Sequence, residues 1–585
     1  MGKLNVVLCW HMHQPDYRYL GTYLRPWTWL HAIKDYSDMA AHLENIPVAA
    51  AVVNFSPVLI EQLQDYPARI RACLDHAAPI RDEILDALAG QVPEGAAPHS
   101  SMPSLMRSLL RVNEAMMKSR FAAYAHLHGE TKQALAEGRL LPRQRLDDLL
   151  VWYVLAWLGE SVRSEALPVA LQEKAGGYTA ADRHALLQLV GEVCGGLLPR
   201  YRVLAEAGRV ELSVTPFAHP ILPLLQDLQC AHESMPHAPL PSAGYPGGTE
   251  RCNWHLSEAV RVFRQAFGRT PVGCWPAEGG ISEATLEQLH RHGFSWTASG
   301  ARVLYNSLPE AVPGAQLHPW RLQTPVGDRA SPTCFFRDDQ LSDRIGFEYS
   351  KWPASDAVDD LVGRIERLVV ASAVDAAVDG PADSAGAEEA VLSIIMDGEN
   401  AWEYFPRNAA EFLTLLYQRL GSHPRIRLTT FSAVLPRLAP LHLSKLVAGS
   451  WVYGTFSTWV GDAAKNRAWD LLIEAKSAVD LALAPELAAA AREGREPRSW
   501  VSAVLRQLAV CEASDWFWWL GEDNRLEDGP AFDLLYRQQL AGLYQLIGTA
   551  PPVALGVPIN SSRNSTSGTL TDQPPAMAGA MRSST

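Results

Sequence analysis

Short apolar runs recur along the chain at 4–10, 48–54, 210–215, 272–275, 294–298, 333–337 and 391–396, with a further candidate at 426–430. They are continuous rather than alternating, as in strands covered on both faces. Between them, stretches such as 105–118 and 144–158 place apolar residues at helical spacing. Strands alternating with helices predict parallel β/α architecture, and seven or eight such units suggest a barrel. A barrel carries its chemistry at the C-terminal ends of its strands. His11, His13, Glu211, His219, Glu278, Arg337, Asp338 and Asp397 all lie at or just after the apolar runs.

Region 80–207 has little strand character and reads as a helical insertion. From 436 onward helical patterns dominate, at 466–482, 485–494, 500–511 and 529–548. The stretch 372–389, rich in Ala, Asp and Gly, reads as a flexible surface loop. Beyond 551 the chain turns to Ser, Thr, Pro, Gly and Asn and reads as disordered. The expected organisation is a barrel over 1–435 with its insertion at about 80–207, a C-terminal helical domain over 436–550, and a tail over 551–585.

Composition narrows the partners. A net charge of −13 is scattered with no basic run, which disfavours nucleic acid and anionic membrane. A neutral polymer or small neutral ligand suits this surface better. The eight cysteines are dispersed without a CxxC pair, so free thiols in a reducing compartment are expected. The apolar stretch at the N-terminus is too short for a signal peptide, and no segment approaches the roughly 20 apolar residues of a membrane span. These points predict a cytoplasmic protein.

Two acidic motifs carry the candidate chemistry. One is Gly273-Cys274-Trp275-Pro276-Ala277-Glu278-Gly279-Gly280, and the other is Met396-Asp397-Gly398-Glu399-Asn400-Ala401-Trp402-Glu403. Each sets a carboxylate at a strand end beside glycine and tryptophan. Two carboxylates presented from one scaffold are what glycosidic bond cleavage needs: one attacks or stabilises the sugar carbon, and the other donates and then removes a proton. The nearby Trp275 and Trp402 fit, because sugar C–H faces stack on aromatic rings.

The motifs together resemble glycoside hydrolase family 57. Five blocks match in order: His11-Met12-His13-Gln14-Pro15; Gly208-Arg209-Val210-Glu211 with His219-Pro220-Ile221; Trp275-Pro276-Ala277-Glu278; Asp397 through Glu403; and Gly449-Ser450-Trp451 through Trp459, Gly461 and Asn466. Two further stretches, Phe336-Arg337-Asp338 through Phe347 and Ser514-Asp515-Trp516-Phe517-Trp518-Trp519, look like the amylase and amylopullulanase branch. The resemblance implies a (β/α)7 barrel followed by an α-helical C-terminal domain. It also implies a retaining enzyme acting on α-1,4-glucans, with Glu278 as nucleophile and Asp397 as general acid/base. A 4-α-glucanotransferase or branching enzyme would use the same two carboxylates.

A retaining nucleophile needs hydrogen-bond donors to stay ionised, and the two glycines after Glu278 offer amides. The acid needs a drier or more negative setting, and Glu399, Glu403 and Trp402 lie near Asp397 in sequence. His11 and His13 share one side of a strand. They read as contacts to sugar hydroxyls, with a metal site or satisfied core histidines as alternatives. Glu211 reads as orienting a catalytic group or forming an ion pair, and His219 as reaching the glucan or capping beside Pro220. Arg337 reads as steering a carboxylate or binding a sugar oxygen, or as pairing with Asp338 or Asp339. Trp451 and Trp459 read as stacking platforms, Asp515 as a contact to a sugar hydroxyl, and Trp516, Trp518 and Trp519 as packing. Asp462-Ala463-Ala464 departs from the family pattern and leaves the acceptor-side contacts open. No metal and no cofactor is assigned. A metal-dependent barrel hydrolase of the deacetylase or mannosidase kind is the alternative from another class.

Overall fold

The computed structural model describes residues 3–91, 102–310, 312–323, 331–378, 390–521 and 528–560. Seven parallel strands close into a barrel: β1 Leu4–Met12, β2 Ala51–Phe55, β3 Val210–Val214, β4 Gly273–Cys274, β5 Trp296–Gly300, β6 Thr333–Arg337 and β7 Val391–Asp397. The ring shuts where β6 meets β7 and β7 meets β1. The run at 426–430 forms a strand, β8 Ile426–Thr429, outside this ring. It pairs with Leu4–Val7, the lower half of β1, whereas β2 pairs with Cys9–Met12 above it.

Alternation along each strand explains the interior. Val7 and Cys9 of β1 join Val52, Ala298, Phe335 and Ile395 in one buried cluster, while Leu8, Trp10 and Met12 belong to the larger core. Phe431 and Val434, just after β8, belong to the inner cluster too. Two residues beyond Cys9 the inward face changes from apolar to His11, and on β7 it passes from Ile395 to Asp397. Apolar filling thus gives way to polar groups at the C-terminal ends of β1 and β7.

Between β2 and β3 the chain makes its longest excursion, which includes α1 Pro57–His76, α2 Arg143–Trp157 and α3 Ala180–Glu206. Helix α4 Gly248–Phe267 precedes β4. After the barrel come α5 Ala463–Glu493, α6 Ser499–Cys511, α7 Ser514–Trp518 and α8 Gly529–Leu546. Two helices expected over 466–482 and 485–494 are one, running through Pro485. Pro485 is solvent-exposed, as is Leu481 one turn before it, so water can satisfy the carbonyl that proline leaves without an amide.

Residues 372–378, expected in a loop, end a long helix, Ala354–Val378, and 379–389 lie outside the described residues. Residues 551–560, expected to begin a disordered tail, pack against the C-terminal helices. Ile559 donates its amide to Asp533, and the Asn560 side chain accepts from Gly521. Residues 561–585 lie outside the described residues. Among the described residues no helix is long and apolar enough to cross a membrane.

Candidate active site

Glu278 sits on the tight turn Ala277–Gly279 immediately beyond β4. Its backbone is left-handed, with φ 56° and ψ 23°. For a residue with a Cβ this costs about 1–3 kcal/mol, and it persists only where the surroundings impose it. Trp451 imposes it from above: its amide donates to the Glu278 carbonyl at 3.0 Å. Its indole Nε1 also donates to Glu278 Oε2 at 3.0 Å. Gly300, ending β5, permits this approach, since a Cβ there would stand 2.7 Å from Trp451 Cα. Ser514 Oγ lies 3.3 Å from the other carboxyl oxygen. The amides of Gly279 and Gly280 close the turn onto Pro276 and Ala277, so the expected glycine donors do not reach the carboxylate.

Asp397 ends β7, level with His11 on β1. Asn400 donates to its Oδ2 at 2.9 Å. Both candidate carboxyls hold protons more tightly than usual, and burial is the first cause in each. Glu278 is pushed up to about 8, with the charges of Asp397 and Asp515 adding to burial. Asp397 is pushed up to about 6, opposed by Asn400, His13 and Arg337. This order reverses the sequence expectation of an ionised Glu278 facing a protonated Asp397. The reason is local: Asn400, His13 and Arg337 act to lower the Asp397 pKa, whereas no basic side chain is among the leading influences on Glu278. Glu399, two residues beyond Asp397, is buried and turned onto Gln14, which donates to it at 3.1 Å. Burial, then the Asp397 charge, raises its pKa well above the usual carboxyl range.

Three near-parallel imidazoles complete the mouth. His11 Nε2 is 3.0 Å from His219 Nε2, and His13 stacks on His219 with ring centres 3.8 Å apart. His13 bonds Ser56 through Nδ1 at 2.7 Å and Asp515 through Nε2 at 3.0 Å. His219 is left-handed, φ 62°, and its carbonyl accepts the amide of Ser514, which fixes the start of α7 over the barrel. His13, His219 and Asp515 place one potential ligand atom each within 4.8 Å of one another. Yet the two rings lie 15° from parallel, so their in-plane lone pairs run side by side. Both nitrogens of His219 also have partners, His11 and Ser514. This geometry suits hydrogen bonding better than convergence on a cation.

Several expected contacts lie elsewhere. Glu211 is the first inward position of β3, at the opposite end of the barrel, where it accepts from Trp296 Nε1 at 2.6 Å and from Ser432. Trp275 and Trp459 are fully buried and Trp402 nearly so, leaving no face for a sugar. Trp275 instead supports Trp451 edge-on, with centroids 5.2 Å apart. Trp402 donates to the Gly398 carbonyl behind Asp397, and the Trp459 carbonyl receives the Trp469 indole. Arg337 pairs with Asp339 and Asp343 while its guanidinium lies 5.1 Å over the Trp451 ring, so it braces the site rather than standing free. Trp516, Trp518 and Trp519 are buried, as packing residues should be. Asp462 caps α5 by accepting the Ala464 amide at 2.7 Å. Ser514, Asn54 and Ser56 reach the site without having been singled out. Asn54 on β2 is level with His11 on β1, and Ser56, one residue beyond β2, meets His13, one residue beyond β1.

A family model described as Glycosyl hydrolase family 57 matches residues 7–446. No curated protein sequence matches the chain. A GH57-type branching enzyme from Pyrococcus horikoshii aligns with 98% of this chain and 100% of its own at 15% identity and TM-score 0.53. A GH57 branching enzyme from Thermococcus kodakaraensis, in complex with glucose and additives, gives 96%, 97%, 15% and 0.54 in the same order. An α-amylase from Thermotoga maritima gives 93%, 94%, 13% and 0.54. At such identities the likeness is one of fold.

Proposed function

The chain belongs to glycosyl hydrolase family 57, and from that premise we propose that this glycoside-active enzyme cleaves α-1,4-glucans with retention. One observation carries the reading: two carboxyls from distant parts of the sequence stand at the C-terminal ends of barrel strands, Glu278 on the turn beyond β4 and Asp397 at the end of β7. The Asp397 charge adds to burial in raising the Glu278 pKa. In this reading Asp397 protonates the leaving oxygen as Glu278 attacks the anomeric carbon, and the glycosyl group becomes bonded to Glu278. Asp397 then takes a proton from the acceptor, whose oxygen displaces Glu278. Trp451 supports the attack by holding Glu278 Oε2, leaving Oε1 directed toward Ser514. Residues 1–435 act as the catalytic part in this reading, and the helices of 436–550 close one side of the cleft through Trp451, Ser514 and Asp515.

The acceptor decides the product. Incubation with maltoheptaose, with products resolved by chain length, tests the proposal. Shorter saccharides alone mark hydrolysis, and longer ones as well mark glucan transfer by the same carboxyls. Unchanged maltoheptaose, with amylose also untouched, would overturn the α-1,4 assignment.

A further inference from the structure

One chain of hydrogen bonds runs from the barrel interior to Glu278. Asn54 Oδ1 is 2.7 Å from His11 Nδ1; His11 Nε2 is 3.0 Å from His219 Nε2; His219 Nδ1 is 2.8 Å from Ser514 Oγ; and Ser514 Oγ is 3.3 Å from Glu278 Oε1. Asn54 is oriented at its far end. Thr215 Oγ1 donates to the same Oδ1 at 2.7 Å, and the Asn54 amide donates to Ser213 at 3.0 Å.

The direction of every bond follows from proton counting. No partner of His11 or His219 in this chain is anionic, both rings are buried, and burial holds both in the neutral form. A carbonyl oxygen only accepts, so His11 carries its proton on Nδ1. Its Nε2 is then bare and accepts from His219 Nε2–H. That leaves His219 Nδ1 bare, and it accepts from the Ser514 hydroxyl. A hydroxyl has one proton. Ser514 therefore turns a lone pair toward Glu278, a contact that is favourable only when Glu278 carries a proton and donates it.

We propose that Asn54, His11, His219 and Ser514 form a polarised relay that favours the protonated form of Glu278 in the empty site, with Asn54 and Ser514 as its positioning residues. Ionisation of Glu278 then requires the Ser514 hydroxyl to turn away from His219. The proposal rests on reading Glu278 as the reacting carboxyl. The other titratable groups facing the relay and its end are Asp397 from β7, Asp515 from α7 and His13 beyond β1, with Arg337 of β6 acting on Asp397. All four remain in place when Ser514 is altered.

Two measurements test it. Nitrogen-15 NMR of histidine-labelled protein near pH 7, assigned with His11→Gln and His219→Gln, reads the tautomers directly. The relay requires Nδ1–H on His11 and Nε2–H on His219, and a His219 carrying Nδ1–H overturns it. The second measurement uses the Asp397→Asn background, where Glu278 titrates without its charged partner, and follows the carbon-13 carboxyl signal. Ser514→Ala removes the acceptor of the Glu278 proton, so the midpoint falls by about 1 pH unit, and Ser514→Thr restores it. An upward shift would mean that Ser514 donates to the carboxylate, and no shift would mean it is uncoupled; either overturns the relay. If Ser514→Ala does not fold, the tautomers of the otherwise intact protein still decide. Turnover surviving Glu278→Gln would instead overturn the reading of the nucleophile, leaving the tautomer result to stand by itself.

Discussion

Glu278 and Glu512 are two enclosed glutamates on either side of Ser514, and they are driven in opposite directions. Glu512 follows α6 and is fully buried. It accepts two bonds from Arg251, at 2.8 and 2.7 Å, one from His255 at 2.7 Å, and one from Tyr245. Burial would raise its pKa, but the Arg251 charge and these bonds outweigh it and bring it down to about 2. Glu278 meets comparable enclosure with an indole and a hydroxyl in place of a guanidinium, and two further carboxylates nearby. Enclosure is common to both; the partner decides the sign. Glu512 ties α4 to the end of α6 and so fixes where Ser514 and Asp515 begin α7. One glutamate serves as a clamp, and the other is held unpaired beside the cleft.

The comparison breaks most sharply under exchange of each glutamate for glutamine. Glu278→Gln is expected to lower turnover on amylose by ~10^4-fold or more, while the fold is retained. The stability sign follows from the raised pKa. Glu278's contribution is fully present below its ordinary value near 4.5 and is lost as pH rises through about 8. The glutamine variant should therefore resist denaturant at least as well as the parent at pH 9. Substantial residual turnover would remove Glu278 from the reaction, and strong destabilisation would make it structural.

Glu512→Gln should do the reverse. Leaving Arg251 buried without its counter-ion is expected to cost about 3–5 kcal/mol in denaturant unfolding. The parent protein's Glu512 contribution is present above about 4.5 and is lost as pH falls toward 2. A variant as stable as the parent at pH 7 would show that the clamp is redundant.

A smaller effect sharpens the contrast within the cleft itself. The Glu278–Asp397 pair holds two protons below about 6, one between about 6 and 8, and none above. Only the singly protonated pair supplies both an ionised nucleophile and an acid. Rate against pH should therefore be bell-shaped with limbs near 6 and 8, falling about tenfold per pH unit outside them. A profile flat from pH 5 to 9 would be incompatible with the pair.

How far the chain announced all this depended on the range of the interaction. Repeated apolar runs spaced by helices carried the barrel, because burial on both faces leaves a local signature in strands such as β1 and β7. The same alternation that fills the interior with Val7, Cys9 and Ile395 delivers His11 and Asp397 to the mouth, so the candidate pair was legible from strand ends. The fate of Glu211 was not. Its motif matched, but its rank as the first inward residue of β3 sends it to the barrel floor, and rank within a strand depends on register with neighbours. The tryptophans diverged for a similar reason: Trp451 and Trp459 belong to one sequence block, yet Gly300 admits one beside Glu278 while the other is buried in the core. The proton affinities lay furthest from the sequence. Two glycines after Glu278 and two glutamates after Asp397 pointed to an ionised nucleophile and a protonated acid. Folding turned those amides and Glu399 away and supplied Trp451, Ser514, His13 and Arg337 from remote segments. Electrostatics acts through space, and only the assembled chain determines what lies within a few ångströms of a charge.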